Sequence, residues 1–216
     1  MDMQYLDENN NIKKLVLISH YNSNIDWLEK LQVPYVVYSK SLRNNNFIDF
    51  NKGQEVPMYL KFIIDWYDKL PDKILFYHDH LHSPHQDFDS VFIINNVNWE
   101  LDEFFSVNKR EWYHTIQENC PIEPMGINWV NDNWDIFNKH LTKQDRYSFY
   151  CGAQFVIDKK LILNYEKSFY DSLYEWIKTS NLSNYITSRI FEYTWHYIFT
   201  KNPIEKKYKI EDVFIS

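Results

Sequence analysis

The chain has 216 residues, 44% of them hydrophobic and 19% aromatic, which is enough apolar side chain to bury one substantial core. Its formal net charge of −7 argues against a broad surface for a nucleic-acid polymer, because such surfaces are normally basic. With only three glycines, Gly53, Gly126 and Gly152, the chain lacks a glycine-rich loop for nucleotide phosphates.

The cysteine content and the first residues bear on the compartment. Cys120 and Cys151 are too few for a disulfide framework or a cysteine-based zinc site, which favours a reducing compartment. Residues 1–14 are acidic and polar, unlike a signal peptide, and no apolar run reaches the ~18 residues of a membrane span. We therefore expect a cytoplasmic protein without a membrane span.

The first eighty residues alternate between predicted strands and predicted helices. Short apolar runs rich in β-branched residues predict strands at residues 14–20, 34–40 and 73–78. The segments between them, residues 25–31 and 54–70, have helical spacing of apolar side chains. This alternation predicts an α/β fold, with a single domain built on a mostly parallel central sheet that carries helices on both faces.

The rest of the chain is less regular. Residues 91–99 fit a strand or a loop, and residues 121–137, rich in Pro, Asn and Trp, predict a long loop or lid. The remaining predicted elements are a strand at 149–157, helices at 167–179 and 188–199, and a strand in the tail at 208–214.

Five potential metal ligands follow the third predicted strand, in the segment FYHDHLHSPHQ: His78, Asp79, His80, His82 and His85. In open α/β sheets, ligands bind beyond the carboxyl ends of the strands. The segment SHYNSN follows the first strand in the same way. These positions favour a ligand site over a chance surface cluster.

The carboxylate at residue 79 could hold Mn²⁺ or Mg²⁺ together with diphosphate oxygens and water, because hard cations prefer oxygen ligands. We expect His80 to take part in the site beside this carboxylate and His78 to be structural. Two alternatives stay open. His80, His82 and His85 could bind zinc, or the segment could be a solvated loop without a metal.

Three segments resemble domain-of-unknown-function family 3431 (DUF3431): residues 51–86, 151–162 and 191–200. The resemblance runs from about residue 22 to about residue 199. Gln54 stands where that family usually has an arginine. The family is similar to glycosyltransferases of the GT-A type, whose Asp-x-Asp motif follows a strand and holds a divalent cation. Here the corresponding tripeptide is His78-Asp79-His80.

The resemblance implies one GT-A-like domain over residues 1–216, with a nucleotide-binding half (10–100), an acceptor half (101–200) and a tail (201–216). It implies metal-dependent transfer of a sugar from a UDP- or GDP-type nucleotide sugar to a glycan or protein acceptor. The residues expected to take part are Asp79, His80 and His196 on Mn²⁺ or Mg²⁺, Glu192 or Asp132 as catalytic base, and His20, Asn22, Glu55, Gln154 and Trp195 on the substrates.

Helical spacing supports part of this assignment. Glu192 and His196 lie one turn apart and share a helix face. A dry core would make such a carboxylate costly, so we expect both residues to face the cavity that His80 faces. The alternatives are a packed core histidine and a surface carboxylate. Glu55 could equally stabilise the start of a helix.

Two other functions remain open from the sequence. A His/Asp metal-dependent hydrolase of phosphoesters would use the histidine-rich segment. A catalytically inactive sugar-binding or interaction protein would explain why Gln54 replaces the arginine and why Asp-x-Asp is absent.

Overall fold

A five-stranded sheet lies at the centre of the computed structural model, which describes residues 12–121 and 123–215. The strands are β1 (Lys14–His20), β2 (Tyr35–Ser39), β3 (Lys73–His78), β4 (Phe104–Ser106), β5 (Tyr113–Gln117), β6 (Arg146–Tyr150) and β7 (Phe155–Asp158). The central order is β2-β1-β3-β7-β4, while β5 and β6 form a separate antiparallel pair. β1 is parallel to β2 and β3, and only β7 runs against its neighbours. The predicted mostly parallel sheet is confirmed.

Helices surround this sheet. They are α1 (Val56–Trp66), α2 (Ser90–Asn96), α3 (Gly126–Asp132), α4 (Lys159–Ile162), α5 (Lys167–Thr179), α6 (Asn184–Thr200) and α7 (Ile210–Val213). Short 3₁₀ segments occur at Asp26–Lys30, Tyr67–Lys69, Arg110–Trp112 and Trp134–Ile136. Within the described residues, no helix is both long enough and apolar enough to cross a membrane.

The sheet buries side chains on both of its faces, as the continuous apolar runs predict. Successive residues of a strand point to opposite faces, so Leu15 and Leu17 of β1 join one apolar cluster, and Val16 and Ile18 join the other. The first cluster includes side chains of α1, α5 and α6. The second includes side chains of α2, α7 and the 3₁₀ segment Asp26–Lys30. Strand β1 therefore contributes side chains to both apolar clusters.

Residues 91–99, expected as strand or loop, lie largely in helix α2. Asp89 caps this helix by accepting a hydrogen bond from the Phe92 nitrogen at 2.8 Å. Ile93 and Ile94 are fully buried in the second cluster. Capping and burial together outweigh the strand-like composition of the segment.

Other expected elements also differ. The predicted strand at 149–157 is two strands, β6 and β7, which belong to different sheets. Gly152 (φ 111°) and Ala153 (φ 49°) separate them, because left-handed backbone interrupts an extended chain. The predicted loop at 121–137 contains α3, and the predicted tail strand contains α7. The helix predicted at 25–31 is a five-residue 3₁₀ segment.

Candidate functional site

An open cleft of about 670 Å³ lies at the carboxyl ends of β1 and β3. Its walls are the segments after these strands, the start of α1 and the first half of α6. The lining residues are Ser19, Tyr21, Asn22, Ser23, Asn51, Gln54, Glu55, Met58, His78, Asp79, His80, His85, Trp112, Gly152, Asn184, Arg189 and Glu192. This is where a parallel sheet opens to ligands.

Asp79 is buried and holds the segment after β1 in place. Its Oδ2 accepts hydrogen bonds from the backbone nitrogens of Tyr21 (2.9 Å) and Ser23 (3.4 Å). Its Oδ1 accepts from Ser23 Oγ at 3.0 Å. Trp27 Nε1 also donates to the Asp79 carbonyl at 3.2 Å. Both carboxylate oxygens therefore accept hydrogen bonds from the segment after β1, and these bonds fix that segment as part of the cleft wall.

Three histidines surround this aspartate on the β3 side. His80 is half exposed, and its Nδ1 lies 3.1 Å from Ser23 Oγ and 3.5 Å from Asp79 Oδ1. The rings of His78 and His85 are 5.5 Å apart between centroids. Burial lowers the pKa of His78 well below its usual value and that of His85 to about 4, so both rings are neutral at neutral pH.

The Nε2 atoms of His78 and His85 are buried and have no hydrogen-bond partner among the described residues. Such atoms cost free energy unless water or a ligand bonds them. The side wall formed by these two histidines is therefore suited to contact a polar group of a bound molecule.

Glu192 stands on the opposite wall and is almost completely buried. Its Oε1 accepts a hydrogen bond from the Gly152 nitrogen at 2.8 Å, and its Oε2 pairs with Arg189 Nη1. Residues three apart on a helix are neighbours, so α6 supplies both members of this ion pair. The Arg189 side chain is 30% exposed and lines the cleft.

Glu55 lies at the start of α1, near this ion pair. Its side chain makes no cap hydrogen bond, and the expected alternative, stabilisation of the helix start by its charge, does not require one. Burial raises the pKa of the Glu55 carboxyl to about 7, and the charge of Glu192 adds to the shift, whereas Lys40 and Arg189 oppose it. The cleft thus holds one carboxylate paired with a cation and one carboxyl group that titrates near neutral pH.

The starts of two helices meet at this wall. Gln54 and Glu55 precede α1, and Asn184 begins α6. The Gln54 nitrogen donates to Asn184 Oδ1 at 3.1 Å, which joins the two helix starts. Helix N-termini carry partial positive charge, so their convergence favours an anionic group in the cleft.

Several expected site residues do not line the cleft. His20 is buried behind it, where Nδ1 lies 2.8 Å from Ser39 Oγ. Gln154 is fully buried, accepts from the His78 nitrogen at 3.3 Å and donates to Asn108 Oδ1 at 3.0 Å. These two side chains support the strand ends. Asp132 is exposed at the end of α3 and is not part of the cleft wall.

His196 and Trp195 line a separate buried cavity of about 10 Å³ behind Glu192. His196 Nε2 donates to the Pro203 carbonyl at 2.9 Å, and burial lowers the pKa of this histidine to about 4. Trp195 packs between Phe191 and Phe199 of its own helix. The expected shared cavity of His80 and His196 is therefore not observed: His80 lines only the cleft, His196 lines only the small cavity, and Glu192 lies between the two spaces and lines both.

The described residues contain no group of three or more His, Cys, Asp or Glu side chains placed to hold a metal ion. The expected Mn²⁺ or Mg²⁺ set is divided, with Asp79 and His80 in the cleft and His196 in the small cavity. Asp79 already satisfies four contacts with its neighbours. The alternative zinc set is also divided, since His82 is exposed outside the cleft wall. The described side chains therefore do not by themselves complete either set of ligands.

Sequence reasoning identified Asn22, Glu55, Asp79, His80 and Glu192 as site candidates, and all five line the cleft. It missed Arg189, Tyr21 and Trp112. The spacing of Arg189, three residues before Glu192, was the available signal for the ion pair. No local pattern indicated Trp112, which reaches the cleft from a 3₁₀ segment before β5.

The fold is that of a mixed α/β protein with an open cleft at the carboxyl ends of its parallel strands. A family profile described as "Protein of unknown function (DUF3431)" matches residues 15–211. The chain belongs to this family, which confirms the resemblance seen in the sequence. Comparison with curated proteins and with solved structures found no match to this chain.

Proposed function

We propose that this protein is a GT-A-like glycosyltransferase of the cytoplasm that moves a sugar from a UDP- or GDP-type nucleotide sugar to a hydroxyl group of an acceptor. The observation that carries the proposal is the position of the Glu55 carboxyl group, which lines an open cleft together with the Glu192–Arg189 ion pair. Burial raises the pKa of Glu55 to about 7. A general base is most effective when its pKa lies near the working pH.

In this reaction Glu55 takes the proton from the acceptor hydroxyl as its oxygen forms a bond to the anomeric carbon. The bond between that carbon and the diphosphate oxygen breaks, and the diphosphate leaves with the electron pair. Glu192 does not compete for the proton, because Arg189 and the Gly152 nitrogen engage its carboxylate. Two carboxyl groups in different surroundings thus have different roles.

Other features of the cleft support a nucleotide-sugar donor. The starts of α1 and α6 together with Arg189 favour the diphosphate. Tyr21 is 47% exposed and Trp112 is partly buried, so both offer ring faces to a base or a sugar. When Mn²⁺ or Mg²⁺ accompanies the donor, it would supply Lewis-acid neutralisation of the leaving diphosphate. The steps assigned here to Glu55, Glu192 and Arg189 do not depend on it.

A second candidate function is sugar binding without transfer. It is favoured by the charge of the wall, where Glu55, Asp79 and Glu192 outnumber the single guanidinium of Arg189 among the described lining residues. An anionic wall suits a neutral polyhydroxyl ligand better than a diphosphate. The hydrolase considered from the sequence lacks a group of metal ligands among the same residues.

A panel of nucleotide sugars and free sugars, each with and without Mn²⁺, separates these functions. A true donor at a hundredfold excess over its Kd raises the free energy of unfolding by about 2.7 kcal/mol, which a thermal shift detects. Transfer is then followed as release of the nucleoside diphosphate with mixed acceptor alcohols. Stabilisation by free sugars but by none of the nucleotide sugars would overturn the transferase in favour of sugar binding.

A further inference from the structure

A mostly apolar cavity of about 180 Å³, which also has His114, Thr115 and Glu123 in its lining, adjoins the cleft. We call it the annex, and its walls include Ile116, Cys120, Phe149, Cys151 and Tyr193. Trp112 and Arg189 line both the annex and the cleft, so the two spaces meet at these side chains. The annex therefore opens beside the guanidinium that pairs with Glu192.

The Cys151 thiol is part of the wall of the annex and is not a nucleophile. Burial raises the pKa of the Cys151 thiol to about 12, and the charge of Glu192 adds to the shift. Cys120 is buried, and its Sγ donates to the Thr115 carbonyl at 3.3 Å. A thiol without thiolate character is chemically inert and packs as a small, polarisable hydrophobe.

The size and chemistry of the annex define its occupant. A fully apolar cavity of about 150 Å³ binds benzene, so the annex has the volume for one aromatic ring, and its apolar side chains can contact the ring while its polar ones contact a ring substituent. A ring seated against Phe149 and Cys151 would direct a ring substituent towards the opening at Trp112 and Arg189. From there the substituent enters the cleft near Glu192 and Glu55.

We propose that the annex binds the aromatic ring of a phenolic acceptor and presents its hydroxyl group to the cleft for glycosylation. This inference rests on the proposed transferase function and adds the class of acceptor. The phenol gives its proton to Glu55 while the phenol oxygen forms a bond to the anomeric carbon. The bond between that carbon and the diphosphate oxygen breaks, and the nucleoside diphosphate leaves with the electron pair. Tyr193 also lines the annex, and its buried hydroxyl has no hydrogen-bond partner among the described residues. This hydroxyl is available to contact a polar substituent of the ring.

The first test uses 4-methylphenol as the probe, with two variants at one position. Calorimetry should show binding to the wild type, a loss of at least roughly tenfold in affinity for Cys151→Leu, which fills the cavity, and a change below about threefold for Cys151→Ala, which does not. Circular dichroism verifies that both variants are folded. Failure of 4-methylphenol to bind the wild type, or equal binding to all three proteins, would overturn the inference.

A second measurement does not require a variant. Crystals of the wild type soaked with 4-iodophenol should give an anomalous iodine peak within the annex, against Phe149 and Cys151. A peak located only elsewhere on the molecule contradicts the inference. This result stands even if Cys151→Leu does not fold.

Two further comparisons are needed. One distinguishes a tyrosine side chain from a small phenol, and the other distinguishes failure of the acceptor inference from failure of the transferase proposal. Tighter binding of N-acetyltyrosine amide than of 4-methylphenol assigns the ring to a peptide side chain, and weaker binding assigns it to a small molecule. If a nucleotide sugar is bound and turned over but no phenol enters the annex, the acceptor inference fails and the transferase stands. If phenols bind in the annex but no nucleotide sugar does, the transferase proposal fails.

Discussion

The Gly152 nitrogen donates a hydrogen bond of 2.8 Å to Glu192 Oε1, and this contact joins the turn between β6 and β7 to helix α6. The turn has left-handed backbone at two successive residues, Gly152 and Ala153. One backbone amide thereby sets the position of the carboxylate that pairs with Arg189. The shape of the cleft therefore depends on this turn, where the backbone conformation and the close neighbours of residue 152 favour glycine.

Gly152→Ala should lower the free energy of unfolding by about 3 kcal/mol, because both strain and overlap act there. An added Cβ would lie 2.7 Å from Asn108 Oδ1 and 2.9 Å from His85 Cδ2, at a φ of 111°. Urea denaturation measures the change. The matched control is Ala153→Gly, which should alter stability by less than about 1 kcal/mol, because glycine accepts left-handed backbone. Equal stability of Gly152→Ala and wild type would refute the tight packing described for this turn.

Glu55→Gln should reduce kcat at least roughly a hundredfold while leaving the KM for the donor nearly unchanged, because amides cannot act as bases. The wild-type rate should rise with pH and level off above about 7, since Glu55 acts in its deprotonated form and its pKa is about 7. Initial rates across the pH range measure both effects. Glu111→Gln, an exposed change outside the cleft, serves as control. If the rate of Glu55→Gln still rises with pH near 7, another group is the base.

Asp79→Asn should destabilise the protein by about 2 kcal/mol in the absence of any divalent cation, because hydrogen bonds to a charged group are lost. The affected contacts are those from Tyr21 and Ser23, which fix the segment after β1. Denaturation in EDTA measures the loss, and calorimetry of UDP with and without Mn²⁺ tests the expected metal role separately. Asp26→Asn is an exposed control with one side-chain contact from Asn24. Unchanged stability in EDTA would mean that these bonds contribute little.

Glu205→Gln should flatten the dependence of stability on pH. Burial raises the pKa of the Glu205 carboxyl from 4.5 to about 8, so the folded state favours the protonated form. The stability that this group contributes is complete below pH 4.5 and is lost as pH rises to about 8. The wild type should therefore lose on the order of a few kcal/mol across this window relative to the variant.

Denaturant titrations at several pH values give the slopes for this comparison. Glu103→Gln removes an exposed carboxylate paired with Lys160 and should keep the wild-type slope. Parallel curves for wild type and Glu205→Gln would show that Glu205 ionises in the folded protein as it does in the unfolded chain.

Parts of the candidate site could be predicted because the order of strands and helices along the chain implies a parallel sheet, and the ends of parallel strands lie together. Parallel strands end at one edge of the sheet, so the segments after residues 20 and 78 had to meet there. Asn22, Asp79 and His80 followed from this argument. His196 did not, because spacing on a helix shows which residues share a face and not which cavity that face meets. On α6 twelve residues are buried, so no single polar stripe marks the cleft side.

The sequence by itself determined the alternating order of elements, the direction of the first three strands and the edge at which a ligand site would form. These features depend on apolar periodicity and chain polarity, which act over a few residues at a time. Only the tertiary structure decided that residues 149–157 divide between two sheets, that Glu192 faces Arg189 and Gly152, and that His196 turns away from the cleft. These outcomes depend on contacts between distant segments, because burial and the pairing of charges are set by whichever elements pack against one another.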